Sequence, residues 1–319
     1  MRSVFFHTVF LIYSTYALSI EHDFKETFQD YTQEDLHVVE KQIQNLLPRL
    51  KRTVVSIETL DGAGSGVIVT KDGLVISAAH VIEQRGKKMT VILSDGRKIH
   101  AVSKGGSQLS DAGMLKLNDD GPFEFATMAK SGSSKVHQWC FALGHPNGYN
   151  KDRGIVLRAG KILAKKDETI QTNCRLLGGD SGGALFNLQG EVIGIHSRIS
   201  NKPEENFHTS IESFLSNWDY FLSEELLTLE NLKAGGFLGV SCEQSNNGLL
   251  ILKVVPGSAA EKLGLFANDE LLCLDGIPLD TREKLTILVS KKSPGEVITL
   301  DFLRKGREIS IQVALGTRQ

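Results

Sequence analysis

Between Thr53 and Ser197 the apolar residues come in short runs, each stopped by a turn signal before a helix of ordinary length could form. Residues 53–59, 65–69, 74–77, 90–93 and 114–117 read as strands. Asp61-Gly62, Asp72-Gly73 and Asp95-Gly96 separate them, and Asp72-Gly73 between two apolar runs is a hairpin signal. A second set covers 139–143, 155–164, 168–171, 183–186 and 192–197. So many short strands with so few helices lead to a sandwich or a pair of barrels. The 31 glycines, against 7 prolines, suit the tight turns such a fold needs.

The flanks differ. Residues 1–19 have a short basic start, an apolar stretch and small residues at Ala17-Leu18-Ser19, which reads as a leader peptide. An uncleaved anchor is the alternative, though the stretch is short for a span of ~20 residues. Residues 20–52 carry Leu36, Val39, Ile43, Leu46 and Leu47 at near-helical spacing, and Pro48 is expected to end that helix. After the strand-rich region at 53–213, residues 214–236 return to helical spacing until Gly235-Gly236. A unit of alternating strands then covers 237–316, with helices expected near 258–263 and 282–291. Basic and acidic residues nearly balance at 36 and 38, so nothing in the overall charge points to nucleic acid. Four cysteines fall two per domain, so Cys140–Cys174 and Cys242–Cys273 are the pairings within domains, with buried free thiols the alternative. No CxxC unit is present, and neither metal nor cofactor is expected.

Three segments carry chemistry. Ser77-Ala78-Ala79-His80-Val81 sets a histidine among small residues after a strand. Ser110-Asp111-Ala112 sets an aspartate at the head of an apolar run. Gly178-Gly179-Asp180-Ser181-Gly182-Gly183 wraps glycines around one serine. Alone, each has a structural explanation: a core histidine, a turn aspartate, a tight turn. Together, in the order His, Asp, Ser and each beside a strand end, they suit acyl transfer. A serine hydroxyl needs a base, here His80, which later protonates the leaving amine. Asp111 would fix the imidazole tautomer. The glycines let the amides around Asp180, those of Gly179 and Ser181, converge on a developing oxyanion.

These segments, with Gly64-Ser65-Gly66-Val67-Ile68-Val69, Ala142-Leu143-Gly144-His145-Pro146-Asn147-Gly148 and Ile170-Gln171-Thr172, resemble the HtrA/Deg serine proteases over about residues 53–316. The resemblance implies a mainly β chain: a chymotrypsin-like double β-barrel followed by a PDZ-like α+β domain. It also implies ATP-independent cleavage of unfolded or damaged proteins, by an enzyme that often forms a homotrimer through its N-terminal segments. Digestive chymotrypsin relatives fit less well. Val81 stands where they have cysteine, and no Ile-Val-Gly-Gly-like terminus precedes the barrel to pair with Asp180. The chain also departs from the HtrA pattern. Asp180 replaces the usual asparagine, which adds a negative charge beside the nucleophile, with Arg175 as its expected partner. Asn173 to Gly178 differ from the family's loop. His196 and Arg198 are unusual on the strand that lines the primary pocket, and both are expected to project outward; an inward Arg198 would favour acidic side chains.

Phe237-Leu238-Gly239-Val240, followed by Pro256-Gly257-Ser258-Ala259-Ala260, resembles a PDZ carboxylate loop and helix entry. Its amides would receive the C-terminus of a peptide added to a sheet edge. The expected function is therefore an exported, periplasmic or secreted, serine endopeptidase. It would capture C-terminal peptides and unfolded polypeptides in the cell envelope. The alternatives are an anchored regulatory protease that answers a peptide signal, and a binding protein or chaperone with a disabled protease fold.

Overall fold

The computed structural model describes residues 32–318, except 60, 61, 84, 167, 201, 203, 204 and 224 and the side chain of Leu229. The leader or anchor at 1–19 and Asp61 of the first turn signal lie outside the described residues. The chain enters through α1 (Gln33–Leu50), which is closed at its start by a reciprocal Thr32–Asp35 capping box. Pro48 does not end this helix, which runs on through it to Leu50. Pro48 gives up the bond that an N–H there would make to Gln44 O, and the helix still closes with Lys51 N–H donating to Leu47 O at 3.0 Å. Val39, Ile43 and Leu50 bury one stripe of α1 in the main core.

Six strands build the first barrel: β1 (Val54–Thr59), β2 (Gly62–Ile68), β3 (Leu74–Ser77), β4 (Lys88–Ile92), β5 (Lys98–Ser107) and β6 (Ala112–Leu117), with a one-turn helix α2 (Ala79–Ile82) after β3. The order β5-β4-β1-β2-β3-β6 closes through β5–β6 pairing. The second barrel is closed in the order β10-β11-β12-β9-β8-β7, from β7 (Trp139–Gly144), β8 (Val156–Lys166), β9 (Thr169–Thr172), β10 (Ala184–Asn187), β11 (Val192–Ile199) and β12 (Asn206–Ser210). Phe141 and Phe186 stack at 5.4 Å in the core between the barrels. This is the expected chymotrypsin-like architecture. Strands β5 and β12 escape the sequence reading. Both interleave polar with apolar residues, and β5 ends in Lys104-Gly105-Gly106-Ser107.

The segment read as one helical stretch is four short pieces: α3 (Ile211–Ser216), α4 (Trp218–Leu222), β13 (Leu226–Leu227) and α5 (Leu229–Ala234). β13 adds to β5 in parallel. The C-terminal unit comprises β14 (Val240–Gln244), β15 (Leu249–Val254), α6 (Ala259–Lys262), β16 (Glu270–Leu274), β17 (Ile277–Pro278), α7 (Arg282–Ser290), β18 (Val297–Arg304) and β19 (Arg307–Ala314). Its sheet runs β14-β15-β16-β18-β19 and encloses its own core around Leu249, Leu271, Leu274, Leu300 and Phe302.

Candidate active site

His80 and Asp111 come together because β3 and β6 are paired neighbours, which sets the α2 turn against the start of β6. Ala79 N–H donates to Asp111 O at 3.1 Å, so the two segments are first joined through the backbone. The His80 amide donates to Asp111 Oδ1 at 3.0 Å, and the ring Nδ1 lies 2.9 Å from Oδ2. A carboxylate only accepts, so the ring proton belongs on Nδ1 and Nε2 keeps its lone pair. Asp111 holds the His80 imidazole above its ordinary pKa by this hydrogen bond, against desolvation. Asp111 has φ +58°, a region that aspartate enters more readily than most side chains. A residue the sequence reading missed completes the group: Ser197 Oγ donates to Asp111 Oδ2 at 2.6 Å from β11.

Ser181 is tied to the first barrel through Ser65 of β2. Ser65 N–H donates to Ser181 O at 2.7 Å, and its hydroxyl donates to Gly179 O at 2.8 Å. Gly64 explains the close approach: a Cβ there would lie 2.5 Å from Val81 Cγ1 and 3.3 Å from Ser181 O. The barrel carrying the histidine and the turn carrying the serine therefore touch across a glycine.

The turn around Ser181 depends on two left-handed glycines, Gly179 at φ +92° and Gly182 at φ +85°. A Cβ on Gly179 would lie 2.5 Å from Asn147 N, and Asn147 N–H itself donates to Gly178 O at 2.8 Å. The Pro146-Asn147-Gly148 turn thus cradles the loop from behind. Among the described residues the Gly179 and Ser181 amides donate to no protein acceptor, which leaves two donors beside Asp180 for an incoming oxygen.

Asp180 itself is fully buried and does not pair with Arg175, which is exposed. Its partner is Arg158 of β8, with Nη1 3.0 Å from Oδ2. Leu177 N–H donates to the same oxygen at 2.8 Å. Burial raises the Asp180 carboxyl, opposed by these two contacts. The negative charge therefore faces Arg158, inside the second barrel. His196 also corrects the expectation. It is fully buried, with Nδ1 2.9 Å from Nδ1 of His208, whose Nε2 lies 2.8 Å from Thr172 Oγ1. Burial lowers both imidazoles, His208 to about 3, so both are neutral. Arg198 does project outward and lies 5.1 Å over the Phe207 ring.

The cysteines are free thiols. Cys140 and Cys174 are neighbours, Sγ to Sγ 3.9 Å, beneath the loop that leads to Gly179. Cys242 and Cys273 sit on β14 and β16 with β15 between them. At ~4.8 Å per strand that separation exceeds what a disulfide spans.

In the C-terminal unit, Gly236 to Val240 line a groove with Leu285 and Val289 of α7. Gly239 has φ +87°, and a Cβ on it would lie 2.1 Å from Ser258 Cβ. Ala260 N–H grips Leu238 O and Val255 N–H grips Gly239 O, at 2.9 and 2.8 Å. Of the four loop residues read from sequence, Phe237 uses its amide on Gly316 O, at 2.9 Å. The Leu238 and Gly239 amides donate to no protein acceptor among the described residues.

Comparison with known proteins agrees with this two-domain architecture. A model of the trypsin-like peptidase domain matches residues 64–195, and a model of the PDZ domain matches 236–315. The chain is 32% identical over 275 residues to a probable periplasmic serine endoprotease DegP-like of Hahella chejuensis, covering 79% of this chain and 56% of the relative. It is 30% identical over 278 residues to the periplasmic pH-dependent serine endoprotease DegQ of Escherichia coli, covering 82% and 60%. It is 30% identical over 295 residues to the serine protease Do-like HtrA of Bacillus subtilis, covering 83% and 66%. The chain thus spans somewhat over half the length of the first of these curated relatives. Among solved structures, a serine endoprotease from Yersinia pestis aligns with a TM-score of 0.55 at 23% identity, over 88% of this chain and 98% of that one. The HtrA-type protease AlgW with tripeptide aligns at 0.58 and 23%, over 86% and 97%. The chain thus has a trypsin-like peptidase domain followed by one PDZ domain, and its relatives are named DegP-like, DegQ and HtrA serine endoproteases.

Proposed function

We propose that this chain is an ATP-independent serine endopeptidase of the cell envelope that takes unfolded or damaged polypeptides as substrates and captures their C-termini in its PDZ groove. The observation that carries the reading is the grip of Asp111 on both the amide and the ring of His80, beside a glycine-built turn that presents Ser181. In this reading His80 Nε2 removes the Ser181 proton as Oγ attacks the scissile carbonyl. Asp111, held by Ser197, stabilises the imidazolium that results. The Gly179 and Ser181 amides receive the oxyanion, and one such donor is worth ~10²–10³ in rate. His80 then passes its proton to the leaving amine, and water repeats the cycle on the acyl-enzyme. His80 must be neutral to act as base, so turnover rises with pH through its raised pKa.

A periplasmic setting is drawn from the names of the relatives, and a homotrimer built through N-terminal segments completes the reading. The alternative of a disabled protease fold rests on the altered Asn173–Asp180 loop; the pairing of Asp180 with Arg158 and the two amides beside it support the enzymatic reading instead. The test uses the full chain and its Ser181→Ala variant on casein. Cleavage by the wild type alone is expected. Silence from both, with C-terminal peptides present, would sink the enzymatic reading.

A further inference from the structure

Glu283 belongs to the PDZ domain, in the first turn of α7, yet its partners lie in the protease half. It is 5% exposed. Ser110 Oγ donates to its Oε1 at 2.5 Å, and Asn217 Nδ2 donates to Oε2 at 3.1 Å. The Ser107 side chain hydrogen-bonds it as well. A carboxyl taken this far from water needs such partners, because burial without them is costly.

The position of those partners gives the contact its meaning. Ser110 is the residue before Asp111. Its carbonyl accepts the Thr209 hydroxyl from β12, while its side chain is held by Glu283. The turn that delivers Asp111 is thus gripped from the second barrel on one side and from the PDZ domain on the other. Asp111 needs such support, because φ +58° persists in a non-glycine residue only where the surroundings over-determine it. The Asp111 carboxylate must also meet two His80 donors and Ser197 at once.

We infer that Glu283 is a positioning residue for the peptidase reaction: through this one side chain the PDZ domain fixes the Ser110–Asp111 turn at the place where Asp111 meets His80. The inference rests on the endopeptidase reading above. Glu283 touches no reacting atom and acts through Ser110.

The contact also has a pH signature. Burial pushes the Glu283 carboxyl up to about 7, aided by the charge of Glu168 and opposed by the Ser107 and Ser110 hydrogen bonds. Glu168 lies on the turn between β8 and β9, Tyr220 of α4 feels the Glu283 charge, and Asp111 follows the Ser110 partner. An acid whose pKa is raised in the docked state supports docking fully below its free value of ~4.3 and loses that support as pH rises through the raised value. Wild-type turnover, after rising as His80 loses its proton, should therefore decline above about pH 7.

The test compares full-length wild type, Ser181→Ala, Glu283→Ala and Glu283→Gln. Three readouts are needed: casein cleavage as kcat and KM across pH, the downfield proton resonance of the His80–Asp111 hydrogen bond, and C-terminal peptide binding as a check on PDZ folding. Glu283→Ala should lower kcat by about a hundredfold, the scale of a small misplacement of a reacting group, with KM little changed. It should also lose the downfield resonance while peptide binding persists. Glu283→Gln keeps the shape, the donor and the acceptor but cannot ionise, so it should retain most of kcat and lack the alkaline decline. Wild-type kcat and an intact resonance in Glu283→Ala would overturn the inference. So would a Glu283→Gln profile that still declines above pH 7, which decides the matter if the alanine variant does not fold. If the wild type cleaves nothing, the endopeptidase reading fails by itself, and the resonance still reports whether Glu283 holds the His80–Asp111 pair.

Discussion

Asp180 brings a carboxylate into a fully buried site one residue before Ser181, so its charge must be met by protein. Digestive relatives meet the matching charge with a freed N-terminus. This chain meets it with Arg158 from its own β8, only 14% exposed, at 3.0 Å. The two departures from ordinary HtrA sequence and from digestive sequence therefore explain each other. Arg158→Ala should cost ~3–5 kcal/mol, the penalty for leaving a buried charge unpaired. It should also slow labelling of Ser181 by a fluorophosphonate, because Asp180 anchors the loop through Leu177 N–H. Arg158→Leu combined with Asp180→Asn removes both charges and should recover most of the loss. Thermal unfolding and labelling rates measure both effects. An Arg158→Ala protein that melts and labels like wild type would show that the pair holds nothing. The serine, histidine and aspartate were legible because each sits in a short local motif. Arg158 and Ser197 were not, since Arg158 meets Asp180 across the second barrel and Ser197 meets Asp111 over 86 residues of sequence. Arg175 looked the better partner only because it is nearer in the chain.

Strands bounded by Asp-Gly turns were readable from periodicity, because alternation and turn chemistry are both local. The region 210–234 was not. Phe214, Trp218, Phe221 and Leu222 have helical spacing, but the chain breaks at Asn217 and then sends β13 back to β5. That parallel pairing joins residues far apart in sequence, and no local signal encodes it. Gly105 of β5 records the contact. A Cβ there would lie 2.5 Å from Glu225 O, 2.6 Å from Phe221 O and 2.8 Å from Phe221 Cα. All three are backbone atoms, so no flexible side chain can yield. Gly105→Ala should therefore shift the linker and lower stability by ~1–3 kcal/mol, the usual cost of overpacking. Urea unfolding of the full chain measures it. A midpoint equal to wild type would mean that the linker is not seated on β5 in solution.

Across the whole molecule, α7 joins two sites that sequence reading treated separately. Its first turn reaches Ser110, while Leu285 and Val289 on the same nine-residue helix line the groove beside Gly239. Between the halves there is also a buried apolar cluster of Ile287 with Leu227 and Leu232, and an exposed ion pair. Lys291 Nζ lies 2.9 Å from Glu225 and 4.4 Å from the Tyr220 ring centroid, and with both charged groups about two-fifths exposed this ion pair is worth little. The groove offers two amides, Leu238 and Gly239, that are unengaged among the described residues and lie near the N-terminal end of α6. Such donors suit a carboxylate better than a neutral amide, because hydrogen bonds to ionised acceptors are about twice as strong. A peptide with a free C-terminus should therefore bind saturably, and the same peptide amidated should bind at least about tenfold more weakly, as losing one charge-assisted bond of ~1.5–3 kcal/mol requires. Gly239→Ala should abolish the difference. A methyl group there meets Ser258 at 2.1 Å and must also occupy φ +87°, so the loop cannot keep both amides in place. Calorimetric titration of the Ser181→Ala protein avoids cleavage during the measurement. Equal affinity for the free and amidated peptides would mean that chain ends are not what the groove reads. Capture would then rest on side chains packed against Leu285 and Val289.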